Sequence, residues 1–355
     1  MRTTYRTALE RWSRDEDIYA FVVERSLDLL RDDGVFGMVL PLSVSFSTKR
    51  TYVSLRERLR AERGTWWFSH YDRIPSALFG NDVRTRCTIA LFARSATPDS
   101  GSGVYVTELR RWPTSQREAL FGTLRYAHIH DVEVAGIAKL GGQLQADAYE
   151  SLARSGPPLG GVLTVSQSYP TLVAIAPDFP TRAVFVGGTA YNWFPVWRTI
   201  PPTTDAMGRP SLPARTACFV FSSDAEADLV FALLGSSLGF WWWAVAGDGF
   251  NLKKWLLDRF PLSPRSLSVE AKAELSALGA ELREELERHY VYKDNRGRVG
   301  NWYMPACGSQ VLAIDAALSR HVEVLTPSAM EEIRSFNARF STAQTSSDDG
   351  DTDAD

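Results

Sequence analysis

Residues 17–46 read DIYAFVVERSLDLLRDDG, then VFGMVLP, then LSVSF. The spacing predicts an amphipathic helix, a tight turn, a strand and a loop. Ile18, Phe21, Val22 and Leu29 fall on one helical face, and Glu24, Arg25 and Asp28 fall on another. Gly34 stands where a helix ends in a left-handed residue. Val35 to Leu40 is a near-continuous apolar run, expected of a strand covered on both faces, and Pro41 stops it. This is one αβ unit of a parallel sheet, and loops at the carboxyl ends of such strands bind ligands.

At 355 residues, with 45% hydrophobic and 23% charged, the chain is long enough for two domains with cores of their own. The net charge of −3 is uneven. Five aspartates fall within residues 348–355; without them 37 acidic residues remain against 39 basic ones. The body is therefore mildly basic, which permits a polyanion partner without requiring one. The Ser/Asp-rich tail, 341–355, is expected to be disordered. Cys87, Cys218 and Cys307 lie far apart, without zinc spacing or a secretory leader before them, and read as free thiols of a cytoplasmic protein. Leu229 to Ala246 is an uncharged run of 18 residues, at the short limit for a membrane span. Its two glycines, two serines and tryptophans, with Asp248, Lys253 and Lys254 following, favour a buried helix and no membrane.

Residues 1–16 read as an approach segment. Thr51 to Glu62 predicts a second helix, with Tyr52, Leu55 and Leu59 inward and Arg56, Arg60 and Arg63 outward. Strands follow at Thr65–Tyr71 and Cys87–Phe92, with another at Val104–Leu109. The pattern suits the trailing half of an open α/β sheet ending in an antiparallel hairpin. Beyond residue 112 the composition changes: residues 141–216 are rich in Gly, Pro, Ser and Thr, with β-like runs at Val162–Val165, Arg182–Val186, Tyr191–Val196 and Cys218–Phe221. From Pro264 the chain reads as helical, with a Leu275, Leu278, Leu282, Leu286 stripe and a capping box at Ser328 and Glu331.

DSGSG at 99–103 reads as a hairpin loop. PACGS at 305–309 resembles the core of the D-P-A-C-G-S-G loop that holds S-adenosylmethionine in adenine-specific DNA methyltransferases. Met304 and Gln310, however, stand where that motif has Asp and Gly, and VGNWYM before it is a poor strand. His128 and His130 read as strand surface residues. There is no Walker loop, H-E-x-x-H or G-x-S-x-G.

The ordered set of residues 17–59, then RIPSALFGNDVRTRCTIALF (73–92), then GDGFNLKKWLLDRFPL (247–262) resembles the Eco57I-like and type I/type IIG adenine-specific DNA methyltransferases. The resemblance implies an α/β fold: the trailing half of a Rossmann-like methyltransferase sheet over 1–112, a mixed α+β target-recognition domain over 113–263, and a helical carboxyl-terminal region over 264–340. It also implies double-stranded DNA as a partner and S-adenosylmethionine as cofactor. Phe79 then stands where the family has the aromatic that stacks on the extruded adenine, its alternative being a hydrophobic plug. Ser43, Ser45, Lys49 and Arg50 leave the strand tip on the cofactor or DNA side. Arg73, Arg84 and Arg86 bracket Phe79 and suit phosphate neutralisation. Tyr191, Asn192 and Trp193, with Asn251, Lys253 and Lys254, suit base edges and backbone, their alternative being plain surface.

The family's N-P-P-Y loop is absent: the Pro-Pro pairs are GPPLG and IPPT. The leading reading is therefore the carboxyl-terminal part of a split or truncated DNA adenine methyltransferase in a restriction or phage-defence system. Its cofactor and catalytic loops would come from an amino-terminal methyltransferase subunit or fragment, and a half-sheet would expose an apolar edge and face. The rival is a non-catalytic DNA-binding or specificity protein derived from a methyltransferase. A self-sufficient permuted enzyme using PACGS and a degenerate remnant are further alternatives.

Overall fold

The structure, a computed structural model, describes residues 17–80, 85–95, 103–130, 132, 136–163, 166–167, 179–211, 213, 215–294 and 298–341. Residues 1–16, Arg84, the DSGSG string before Gly103 and the acidic tail after Ser341 lie outside the described residues. The chain divides into two compact units, Met1–Asp147 with Ala244–Asp248, and Ala148–Trp243 with Gly249–Asp355.

The first unit is built from α1 (Tyr19–Leu29), β1 (Val35–Pro41), the short α2 (Ser43–Phe46), α3 (Arg50–Arg60), β2 (Gly64–Tyr71), β3 (Cys87–Arg94), β4 (Gly103–Arg110) and β5 (Ala127–Ile129); α4 (Gln143–Arg154) leads out of it. The five strands form one sheet in the order β1-β3-β2-β4-β5. β3 is antiparallel to both β1 and β2, and β4 is parallel to β2. The antiparallel strand thus lies inside the sheet, between two strands of like direction, instead of ending it. At a bulge between Phe68 and His70 the Thr107 hydroxyl accepts the His70 amide at 3.0 Å, which the broken ladder leaves without its backbone partner.

One sheet face is the core. Trp66 stacks on Phe92 with centroids 4.3 Å apart and on Phe68 at 5.4 Å, and its indole donates to Leu59 O of α3 at 3.2 Å. Phe36, Leu40, Leu55 and Val106 complete that layer. On α1 the buried residues are Ala20, Phe21, Val23, Glu24 and Leu27, while Ile18, Val22 and Leu29 are exposed. The helix carries two apolar stripes. Stacking of Tyr19 on Tyr52 (5.9 Å), with the Tyr19 hydroxyl hydrogen-bonded to Ser43, fixes which one turns inward. Arg56, expected outward, is fully buried and donates to Val44 O and Ser47 O at 2.9 and 2.8 Å, satisfying carbonyls where α2 ends. Nor is β1 covered on both faces: Val35 and Val39 are exposed on the sheet face opposite Phe36 and Phe92.

The second unit contains β6 (Ser166–Gln167), β7 (Ala183–Val186), β8 (Val196–Trp197), β9 (Thr203–Thr204), β10 (Pro210–Ser211) and β11 (Ala217–Val220). These are followed by α5 (Asp224–Gly235), α6 (Ser237–Ala246), α7 (Lys254–Asp258), α8 (Val269–Leu286), β12 (Tyr290–Asp294), β13 (Arg298–Trp302), α9 (Gly308–His321) and α10 (Pro327–Phe340). A four-stranded sheet of order β6-β11-β7-β8 lies with the helices. Of the expected run Tyr191–Val196, only Val196 is in a strand.

The apolar run 229–246 is two helices bent by 58°, and no single helix among the described residues is long and apolar enough to cross a membrane. Ser236 makes the break. Its hydroxyl donates to Leu233 O at 2.7 Å and accepts the Gly239 amide at 3.3 Å, and a Cβ on Gly239 would meet Leu234 O at 2.1 Å. The β12–β13 hairpin interrupts the expected helical region; Tyr290 and Trp302 tie it to Pro202 O and Thr199 O at 2.7 and 2.8 Å. α10 is capped by the Thr326 hydroxyl, not Ser328, because Pro327 has no amide to satisfy and opens the helix.

The carboxyl ends of β1 and β2 are closed within the first unit. The Ser45 and Thr88 hydroxyls are 3.5 Å apart, and Thr88 meets His70 Nδ1 at 3.0 Å. The Ile137 amide donates to Ser45 O, and Lys139 donates both its amide and its Nζ to Val245 O at 3.0 and 2.7 Å. Lys139 is fully buried; burial pulls its pKa down to about 7, with Asp248 opposing the shift. Burial and the Lys139 charge likewise hold His70 well below its ordinary value, so the ring is neutral.

Two outcomes follow from this packing. Trp66→Ala removes the centre of the aromatic layer and is expected to lower unfolding free energy by about 3–5 kcal/mol in chemical denaturation. For Lys139, the folded pKa of about 7 lies below the ordinary value of 10.5, so within that window the unfolded chain binds a proton that the folded chain does not. Its contribution to stability is at its lowest below pH 7 and rises with pH from about 7 towards 10.5. A thermal-melt series of wild type minus Lys139→Met is expected to show that slope; parallel curves across the window would contradict it.

Candidate nucleic-acid interface

In the first unit the loop after β2 is pinned at its base. Asp72, its side chain fully buried, accepts from Arg86 Nε at 2.7 Å and Arg111 Nε at 3.0 Å. Its Oδ1 also caps the Arg73 amide at 2.7 Å. Further along, Ser76 hydrogen-bonds Thr114 at 2.7 Å, and Arg117 donates to Leu78 O at 2.9 Å while lying 5.7 Å over the Trp112 ring. Leu78 packs into a cluster with Tyr71, Cys87, Trp112 and Leu120. Gly80 follows at φ +77°, a turn that favours glycine.

The consequence is a division of labour between neighbours. Leu78 fills the hydrophobic position at the strand entrance, and Phe79 stands 49% exposed on a braced loop. A second aromatic, Phe121, is exposed on the same cluster, edge-on to Tyr71 at 5.9 Å. Of the arginines bracketing Phe79, Arg73 is exposed, Arg86 is engaged with Asp72, and Arg84 lies outside the described residues. Lys49 and Arg50 are exposed at the start of α3, whereas Ser45 is buried and Ser43 is held by Tyr19. No signal in the sequence marks Arg111, Trp112 and Arg117, which shape the loop: RRW and REAL are ordinary surface text.

In the second unit the structure joins two strings far apart in the chain. Thr189 and Asn251 form a bridge; the Ala190 amide donates to Phe250 O at 2.9 Å and the Leu252 amide to Gly188 O at 3.0 Å. Tyr191, Asn192 and Trp193 therefore leave from the same place as Asn251, Lys253 and Lys254. Gly249, at φ +75°, makes the turn before that bridge. A Cβ on Gly188 would meet Arg215 O at 2.7 Å, so glycine there lets the Arg215 loop close in, and Arg215 Nη1 donates to Asn251 Oδ1 at 3.2 Å. Arg215 is exposed with φ 60°, rare for a side chain of its size. No signal in the sequence marks it.

Around this cluster Tyr191 is exposed, and Trp193 meets Tyr303 edge-on at 5.2 Å. Asn192 O accepts from Ser341 at 3.3 Å. Lys253 is exposed, and Lys254 pairs with Asp258 along α7 at 2.6 Å, an exposed pair that phosphate could displace. A cleft of about 1170 Å³ elsewhere in this unit has Glu226 and Asp228 beside Arg265 and Lys272, a mixture of charges ill suited to a polyanion.

The PACGS string does not fit S-adenosylmethionine in this chain. It is a 3₁₀ turn, Met304–Cys307, followed by the first residues of α9. The strand before it, β13, belongs to the two-stranded hairpin and not to the five-stranded sheet. A Cβ on Gly308 would meet nothing within 4 Å, so no close approach requires glycine there. Burial pushes the Cys307 thiol up to about 11 and Cys218 up to about 12, which leaves both protonated at neutral pH. Among the described residues no group of His, Cys, Asp and Glu could hold a metal ion.

No protein-family model and no curated protein matches the chain. Among solved structures it is similar to the type IIL restriction-modification enzyme MmeI in complex with DNA, at 10% identity and a TM-score of 0.50, over 94% of this chain and 53% of that one. A DrdV–DNA complex matches at 12% identity and a TM-score of 0.38, over 80% of this chain and 41% of the other. The type IIG restriction endonuclease BpuSI matches at 12% identity and 0.30, over 95% and 51%. The chain spans about half the length of the solved enzymes it matches. Its fold is similar to that of about half of the MmeI restriction-modification enzyme.

Proposed function

We propose that this chain is the target-recognition part of a site-specific DNA adenine methyltransferase, to which it also contributes the trailing strands of the catalytic sheet. A separate amino-terminal polypeptide supplies the N-P-P-Y loop and binds S-adenosylmethionine. The observation that carries this reading is the fold shared over 94% of the chain with a restriction-modification enzyme solved on DNA, of which the chain accounts for 53%. The β1-β3-β2 arrangement agrees with it: parallel strands with an inserted antiparallel one form part of an open α/β sheet. The misfit of PACGS supports a cofactor site on the other polypeptide.

The chemistry of the two loop clusters supports DNA as the ligand. An adenine taken out of the duplex loses its stacking, and an exposed aromatic on a rigid loop replaces it, worth about 1–3 kcal/mol. Phe79 has that exposure, and the Leu78 and Arg117 contacts give its loop rigidity. In the second unit, Arg215 with Asn251 and Tyr191 offers donors and a ring for base edges, while Lys253 and Lys254 offer charge for phosphates. Residues 113–263 are on this reading the target-recognition domain.

The test is fluorescence anisotropy on duplex DNA across a salt series, then methylation of the same DNA with the partner chain co-expressed. Binding is expected to weaken linearly in log[salt], and each lost phosphate contact in Lys253→Ala or Lys254→Ala to flatten the slope by about 0.9. Phe79→Ala is expected to leave duplex binding near wild type and to lower methyl transfer by roughly 5- to 150-fold, the equivalent of one lost stacking contact. Salt-dependent binding with no methylation in any combination favours a non-catalytic DNA-binding protein. No binding at low salt removes both readings.

A further inference from the structure

The five-stranded sheet is finished on one face and bare on part of the other. On the finished face Trp66, Phe68, Phe92 and Phe36 pack beneath α1 and α3. The opposite face carries Val35, Gly37 and Val39 of β1, facing Ala93, Leu91 and Ile89 of β3 in register. Towards the carboxyl ends of β1 and β2 that face is covered, since Ile89 packs against the Tyr71, Leu78, Trp112 and Leu120 cluster. Towards the other end it is open: Val35 is 72%, Val39 42% and Leu91 42% exposed. Gly37 lowers the surface between them, and a Cβ there would sit 3.1 Å from Leu91 Cδ2.

The two sheet edges differ in the same sense. β5 is three residues long, a short edge of the kind that resists further pairing. β1 is seven residues, VFGMVLP, uncharged, paired with β3 in unbroken register, and bonded to no strand on its other side among the described residues. It has none of the charges or bulges that blunt a solvent-facing edge. On α1, which packs against β1, Val22 and Leu29, with Ile18 just before the helix, are 45%, 65% and 67% exposed along a stripe that also carries the exposed Arg25. Among the described residues, edge and face are thus apolar and uncovered at one border of the unit, and the neighbouring helix presents a stripe that is apolar except for Arg25. Single hydrophobic residues on a surface are ordinary, but a contiguous set around a free strand edge marks an interface.

We propose that this border docks the leading half of an α/β sheet belonging to a second, different polypeptide. That polypeptide adds a strand to the free edge of β1, lays a helix on Val35, Val39 and Leu91, and packs a second helix against the α1 stripe. A lone peptide strand satisfies the edge only, and a lone helix the face only. Strands parallel to one another are buried on both faces, so the occupant that answers all three surfaces is an α/β half-domain. The solved enzyme with the same fold contains about as much polypeptide again as this chain covers, which gives that occupant its size. This assignment rests on the split-enzyme reading and locates its interface.

The test places the photo-crosslinking amino acid p-benzoylphenylalanine at position 91 in the full chain, expressed in its native host, with a control at position 254. Illumination is expected to join position 91 to an α/β protein carrying an N-P-P-Y loop, identified by mass spectrometry, with position 254 giving no such product. Val39→Arg with Leu91→Arg is expected to reduce the co-purified complex at least ten-fold while DNA binding by the chain alone stays unchanged. A position-91 product with a second copy of this chain, or no product at all, overturns the proposal. An intact complex in the double-arginine variant also overturns it and leaves the functional reading standing; loss of DNA binding by the wild-type chain is what would remove that reading.

Discussion

The Trp66 side chain is the contact on which the first unit depends. It touches β3 through Phe92, its own strand through Phe68, and α3 through a hydrogen bond to Leu59 O. Aromatic pairs at this spacing add about 0.5–1.5 kcal/mol beyond the area they bury. Their directionality matters as much, because a stacked indole with a satisfied N–H permits one placement of the helix over the sheet. Once α3 is placed, Arg56 reaches the carbonyls ending α2 and Tyr52 meets Tyr19, which selects the buried stripe of α1. The register of the whole helical layer is thus passed outward from one side chain.

Buried charge is handled differently at the two ends of the sheet region. Asp72 is enclosed but answered by two arginines and a backbone amide, so its cost is offset and the loop bearing Phe79 is held at its root. Lys139 is enclosed with a carbonyl as its acceptor and Asp248 as its opposing charge, and the cheaper solution near neutral pH is to release the proton. The first arrangement orients a loop. The second closes the strand tips, so ligand access at Pro41 is decided by side chains from residues 136–139 and 244–248.

Much of the first unit was legible. Period and punctuation locate α1, β1, α3, β2 and β3 to within a few residues, because Pro41 and Gly64 limit elements for steric reasons that need no tertiary context. Gly34 is not the left-handed helix end its position suggests, since α1 stops at Leu29 with Leu30 extended and Gly34 does not take a positive φ. What was illegible shares one cause: it depends on which of two equivalent surfaces meets the core. Two apolar stripes on α1, an arginine on the inward side of α3 and a strand at a sheet edge all look alike in sequence to their opposites. In the second unit the local signal is weaker still, since β6 to β11, of two to four residues each, lie below the length at which period 2 can be counted. The split of residues 229–246 came from Ser236 and Gly239, ordinary residues whose effect appears only when Leu234 O is seen beside the glycine.

The sequence by itself determined the α/β character of the first hundred residues and which aromatic and basic side chains lie along them. Composition and hydrophobic period are local properties, and they suffice for that. The place of the antiparallel strand inside the sheet came from the tertiary structure. Only the tertiary structure decided that Leu78 is packed and Phe79 presented, that Tyr191–Trp193 and Asn251–Lys254 leave from one place, and that Arg215 joins them. It alone shows the border at β1 uncovered among the described residues. These are relations between residues about 35 to 60 positions apart, set by packing and strand pairing, and no short window along the chain contains both partners.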